Sequence, residues 1–200
     1  MAYKTRTSSV IDDAKQIDAL ATSIRFEIVS ALEAMDDAAT VAELADALGR
    51  PADGLYYHLR ALVRAGVLHE QIDAGVRRYR STVPAGQRSR LGYKPGATKN
   101  AKAVERTATS MSRLSQRDFA NAIARSDSVV AGPLRELWAA RVRAWVGDEE
   151  LTELNRLLNE IVQLLHRPRS KDADKLIALH WIVAPIDAKP ARRANAATKK

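Results

Sequence analysis

Cysteine is absent from the 200-residue chain, which excludes disulfides, thiolate metal sites and cysteine nucleophiles. Glycine is sparse, with nine scattered residues. They form neither a Rossmann nor a Walker pattern, and no Gly-x-Ser-x-Gly elbow is present. A methyltransferase would need a glycine-rich cofactor loop, which is missing. No enzyme and no cofactor are therefore expected. Long apolar runs are also missing. The most apolar stretch, Leu176 to Ile186, is broken by His180 and Pro185 and is far too short to span a bilayer. The opening Met-Ala-Tyr-Lys-Thr-Arg has no apolar segment of a secretory signal. A soluble cytoplasmic protein without membrane partners is expected. The four histidines, His58, His69, His166 and His180, do not share metal-ligand spacing, so no metal is expected. His58 reads as a packing or phosphate-contacting group, and His180 as a core histidine. The acids Asp148, Glu149 and Glu150 read as helix-start charges rather than as a catalytic cluster.

What the chain has is positive charge. Thirty-two Lys and Arg stand against 24 Asp and Glu, a net charge of +8, with a pI near 9.9; such a balance favours an anionic partner. An apolar content of 46 % is ample for a core. The charge acquires a geometry between Thr40 and Thr82. Thr40-Val41-Ala42-Glu43 is a capping box, and Val41, Leu44, Ala45 and Leu48 follow at helical spacing. Gly49 ends that helix, and Arg50-Pro51 opens another. Leu55, Leu59 and Leu62 give the second helix, over 52–65, one apolar stripe. At ~100° per residue, Asp53, Tyr56, Tyr57, Arg60 and Arg64 point the other way. Gly66 closes the helix. Residues 67–72 and 76–80 are extended runs around Asp73-Ala74-Gly75, which is hairpin chemistry. Arg77, Arg78 and Arg80 lie on that hairpin. Two helices joined by a short turn, followed by a basic hairpin, make a winged helix-turn-helix whose second helix can enter a major groove.

Four spaced segments carry a family resemblance. Leu20-Ala21-Thr22-Ser23-Ile24-Arg25-Phe26-Glu27-Ile28, Val41-Ala42-Glu43-Leu44-Ala45, Leu55 to Leu68 with its Tyr56-Tyr57-His58-Leu59, and Gly75-Val76-Arg77-Arg78-Tyr79 occur in the order of the ArsR-type winged-helix regulators of bacteria. The chain resembles the branch with a Tyr-Tyr-His-Leu recognition helix over roughly residues 10–82. The resemblance implies a dimeric, DNA-binding transcription regulator, nucleoid-associated when bound, with a leading helix that often joins the dimer interface. The family often carries small hydroxyl residues on its base-reading face, where this chain has Gly54, Tyr56 and Tyr57; the operator sequence does not carry over.

The fold expected is mainly α with a small β component: a winged helix-turn-helix domain (1–82), a basic linker (83–102), a helical or α+β dimerisation or effector module (103–186) and a disordered basic tail (187–200). Residues 1–8 read as loose. A helical stripe through Val10, Ala14, Ile17 and Ala21 has Ser9 as a candidate cap, and Ile24, Ile28, Ala31 and Leu32 mark a supporting helix. The linker is punctuated by Pro84, Gly86, Gly92, Pro95 and Gly96. It carries Arg88, Arg90, Lys94, Lys99 and Lys102 without an acid, as a solvated spacer or as a tether along phosphates. Ala101 to Arg125 reads as a helix with a weak stripe, packing on a dimer mate or on the next domain. Residues 134–146 alternate as a strand does, with Trp138, Ala140, Val142, Ala144 and Val146 on one face. A helix with a broad apolar stripe follows from Leu151 to Leu165, stopped by Pro168. Residues 176–186 read as a second strand beside the first; the helix between them favours a βαβ-like crossover and parallel strands, with an antiparallel pair as the alternative.

Double-stranded DNA and a second copy of the chain are the expected partners, with Asp53, Tyr56, Tyr57, Arg60, Arg64, Arg77, Arg78 and Arg80 as DNA-binding residues. Trp138, Trp145 and Trp181 all fall in the C-terminal module. They read as core or as the lining of a small-molecule effector site. A winged-helix protein-interaction module that does not touch DNA is the alternative.

Overall fold

A computed structural model describes residues 8–35, 38–83, 88–165, 167, 170 and 172–187. The first strand, β1 (Ser8–Ile11), runs into α1 (Ala14–Leu20). The cap of α1 is Asp13, whose side chain accepts from the amides of Lys15 and Gln16. The expected helical stripe therefore begins later than Val10, because Val10 and Ile11 are taken into a strand. Helix α2 (Ser23–Ala34) follows, then the short strand β2 (Ala38–Ala39). Helix α3 (Val41–Leu48) starts at a complete capping box: Thr40 Oγ1 accepts from the Glu43 amide at 3.2 Å, and the Glu43 carboxylate accepts from the Thr40 amide at 2.7 Å. Gly49 ends α3 at φ +60°, and the Arg50 amide donates back to the Ala45 carbonyl at 3.0 Å. Only a residue without a Cβ enters that conformation cheaply, so the chain turns at once into α4 (Ala52–Arg64).

Strands β3 (Leu68–Asp73) and β4 (Val76–Ser81) form the hairpin, and β4 also pairs antiparallel with β2, giving the order β2-β4-β3. The turn residues Ala74 and Gly75 both have positive φ, the conformation that matches the twist of a two-residue hairpin. The core gathers the inward faces of all these elements: Ile17, Ile28, Leu32, Leu44, Leu55, Leu59 and Leu62 are essentially inaccessible. Each such side chain contributes ~1.5–3 kcal/mol relative to exposure.

The stretch expected as a linker contributes structure. Strand β5 (Arg88–Leu91) pairs in parallel with β1, and α5 (Thr98–Ile123) begins within the linker and packs along α1 and α2. Gly92 permits the junction, since a Cβ there would lie 2.6 Å from Asp12 Cβ and 3.1 Å from Asp12 Cα. The buried face of α5 is largely polar. Asn100 donates to the carbonyls of Asp12 and Gly92 and accepts from the Lys94 amide. Thr107 donates to the Ile17 carbonyl at 3.0 Å. Ser110 and Ser23 share a 2.9 Å hydrogen bond. Those polar contacts dock the helix together with the apolar Ala103, Val104 and Leu114.

The C-terminal region departs from expectation. Helix α6 (Asp148–Leu165) forms where the stripe placed it. The runs 134–146 and 176–186, however, form no strand and do not pair, so the crossover is absent. Period-two alternation shows that a run can be extended with two distinct faces; a ladder also requires a neighbouring edge, and nothing among the described residues supplies one. Among the described residues from 126 to 187, only Leu137 is buried. The tail from Ala188 onward, His166, Pro168 and the first seven residues lie outside the described residues.

Candidate nucleic-acid interface

The geometry of α4 follows from its leucines. Leu55, Leu59 and Leu62 point into the core, and the opposite surface is left to Asp53, Tyr56, Tyr57, Arg60 and Arg64, all exposed. Tyr57 is 64 % accessible and Tyr56 40 %. The far end of the helix is pinned. The Gly66 carbonyl accepts from Gln16 Nε2 at 2.9 Å and from Thr82 Oγ1 at 3.1 Å, which fixes α4 against α1 and the end of the hairpin. A groove-reading helix requires such support, because side chains reach base edges only from a rigid rod.

On the hairpin, alternation sorts the arginines. Tyr79 and Ser81 face the core, and Arg78 and Arg80 lie on the outer face, with Arg80 opposite His69. Arg77 shares the side of Tyr79 but lies toward the tip, beyond the core, and is exposed. Burial holds the Tyr79 phenol above its ordinary pKa, with the neighbouring Glu70 carboxylate adding to it.

The cations divide into two groups. Arg60, Arg64 and Arg80 carry no ion pair among the described residues. Arg77 pairs with Glu70 at 3.0 Å and Arg78 with Glu43 at 3.5 Å. Sequence reasoning read Glu43 only as a capping residue and did not single out Glu70. The available signal was strand register, which sets Glu70 diagonal to Arg77. Exposed pairs of this kind are worth ~0–1 kcal/mol, so a phosphate can displace either acid at small cost. The Glu43 carboxyl is held below its ordinary range, first by its hydrogen bonds with Thr40 and then by Arg78.

His58 lies on the flank of α4. Its ring meets Tyr57 edge-on at 5.3 Å between centroids, and its Nδ1 is buried without a hydrogen-bond partner. Burial lowers its pKa, and Arg25 and Arg50 reinforce the effect. The shift favours the neutral ring. Beside it, Glu27 joins Arg50 at 3.1 Å and Arg117 of α5 at 2.5 Å, tying the turn between α3 and α4 to the long helix. Sequence reasoning missed this cluster, since its members lie 23 and 90 positions apart.

The three tryptophans are not gathered together. Trp138 is 70 % exposed beneath the Arg135 guanidinium, Trp145 is 69 % exposed and Trp181 39 %. All three are open to solvent among the described residues.

Residues 20–71, which span α2, α3, α4 and the first part of the hairpin, match the family model of a helix-turn-helix domain. The chain thus carries a helix-turn-helix domain of the kind found in DNA-binding regulators. Comparison with curated proteins and with solved structures gave no match. No helix among the described residues is long and apolar enough to cross a membrane.

Proposed function

We propose that this protein is a non-enzymatic transcriptional regulator of the ArsR-like winged-helix type, acting in the cytoplasm as a homodimer on a pseudo-palindromic operator. The observation that carries the reading is the outward stripe of α4, two tyrosines and two unpaired arginines on a helix whose other side is locked into the core. In this reading α4 enters the major groove. Tyr56, Tyr57 and Arg60 reach base edges, and Asp53 sits at the rim. Arg64, Arg77, Arg78 and Arg80 approach phosphates or the adjacent minor groove. Twofold symmetry sets half-sites about 34–36 Å apart, or at a multiple of that spacing. An effector site among Trp138, Trp145 and Trp181 would have to form where two chains meet, because one chain does not enclose it.

The test is binding to DNA flanking the protein's own gene, measured over a range of salt concentrations. Replacing both Arg77 and Arg78 by alanine should weaken all sequences about equally and lower the salt slope by ~1 for each phosphate no longer neutralised. Unchanged affinity and slope would remove the hairpin from the interface. A wild-type chain that retards no DNA at low salt would favour a winged-helix protein-interaction module instead.

A further inference from the structure

The region after α5 leaves its apolar surface unpartnered. Much of the stripe of α6 faces outward, with Leu151, Leu157, Ile161 and Leu165 each at least 37 % exposed, while Leu154, Leu158 and Val162 are half-buried. Its opposite face is already satisfied, since Arg156 bonds to Glu153 at 2.7 Å and also to Glu160. On either side of α6 lie the two runs that form no helix or strand. Among the described residues, neither 138–146 nor 176–187 makes a backbone hydrogen bond. An apolar run with an unsatisfied backbone on both sides is the form a strand takes before it meets its neighbour.

We propose that this region is completed by a second copy of the same chain, with the 138–146 run of each copy pairing with the 176–186 run of the other and the two α6 helices covering the resulting sheet. Three observations select this occupant. The first is area. A tryptophan offers on the order of 200–250 Å², so the three, at 70 %, 69 % and 39 % exposure, leave roughly 400 Å² open. That is half of the ~800 Å² each partner contributes to a stable interface, and the leucines, isoleucines and valines supply more. The second is charge. Pairing 138–146 with its own copy about Val142 would set Arg141 against Arg143, whereas Leu176 to Ile186 carries no Lys, Arg, Asp or Glu. Exchange between copies therefore brings the arginine-bearing run beside an uncharged one, twice, as twofold symmetry requires. The third also concerns charge. The first turn of α6 is Asp148, Glu149 and Glu150, which disfavours an anionic lipid surface or nucleic acid as the cover.

The inference rests on the dimeric part of the function proposed above, and not on DNA recognition. Its test uses the full chain. Val142 is 84 % exposed and Ile182 60 %, so Val142→Asp and Ile182→Asp leave the isolated chain unstrained and bury an unpaired carboxylate only in the dimer. Sedimentation should give a dimer for the wild type and at least a tenfold weaker association for each variant, with tryptophan emission moving to that of solvent-exposed indole. As a check independent of folding defects, the absence of cysteine makes engineered thiols unique. Chains carrying Val142→Cys and Ile182→Cys on distinguishable tags, co-expressed and treated with a short bismaleimide, should form a covalent heterodimer. A monomeric wild type, dimers that survive both aspartate substitutions, or no cross-link between the two tagged chains would each overturn the proposal. So would a wild type that sediments with anionic vesicles as a monomer. If the dimer and cross-link form but no DNA is bound, this inference stands and the regulator reading falls.

Discussion

Replacing Thr107 by valine should cost the N-terminal unit ~1–3 kcal/mol. The Thr107 side chain is fully buried, and its hydroxyl donates to the Ile17 and Ala103 carbonyls, both at 3.0 Å. The Ala103 carbonyl lies inside α5 and keeps its helical amide. The Ile17 carbonyl belongs to the last turn of α1, where carbonyls run out of amides; the Ala21 amide donates to Asp18 instead. Valine matches threonine in shape and β-branching, so packing and helix propensity barely change. The loss is that of a buried acceptor left without a donor, ~1–3 kcal/mol, or on the order of 5 °C in Tm per kcal/mol for a domain of this size. Thermal unfolding followed by circular dichroism reads it directly, with Thr107→Ser as the control that keeps the hydroxyl. If Thr107→Val melted with the wild type while Thr107→Ser was the less stable, α5 would not be docked on α1 through this hydrogen bond.

Two glycines should respond in opposite ways. Gly92→Ala drives a Cβ to 2.6 Å from Asp12 Cβ and 3.1 Å from its Cα, and overpacking of this kind should cost ~1–3 kcal/mol. Gly54, within α4, has nothing within 4 Å of an added Cβ, so Gly54→Ala should raise stability by about 0.5–1 kcal/mol; a urea midpoint raised by Gly92→Ala or lowered by Gly54→Ala would contradict the corresponding assignment. His58 should impart a pH dependence. Its folded pKa lies below the ordinary 6.5, so the unfolded chain takes the proton first, and stability present above pH 6.5 is lost as pH falls through the folded value. His58→Gln should lose less stability than wild type between pH 7.5 and 5.5, values set as about one unit either side of that ordinary pKa; equal losses would show that the histidine is not held neutral.

Local chemistry made the helix-turn-helix unit readable from the chain alone. The capping box at Thr40, the left-handed Gly49, the leucine stripe of α4 and the Ala74-Gly75 turn each fix a few residues without reference to anything distant. The helix-to-hairpin order then leaves one face of α4 outside. What local pattern does not carry is partnership. The docking face of α5 was faint because Asn100, Thr107 and Ser110 bury polar groups against distant carbonyls and hydroxyls. The β1–β5 pair joins residues 80 positions apart, and its second strand lies in a basic, glycine-punctuated stretch that reads as a spacer. Trp138 to Val146 alternates as a strand does, yet alternation names no neighbour, and the described residues contain none. The ion pairs of Arg77 and Arg78 were hidden for a similar reason, since a basic hairpin shows its charge but not the acids folded against it.

The most direct measurement is sequencing of genomic DNA bound by the full-length protein, beside a chain carrying Tyr57→Ala and Arg60→Ala. Both side chains lie on the exposed face of α4, so the doubly substituted chain keeps its core. The wild type should enrich a short motif with twofold symmetry, and the substituted chain should lose discrimination at the inner positions of each half-site while still binding DNA through its phosphates. No enriched motif for the wild type, or the same motif at the same strength for both chains, would contradict the claim that the outward face of α4 reads DNA.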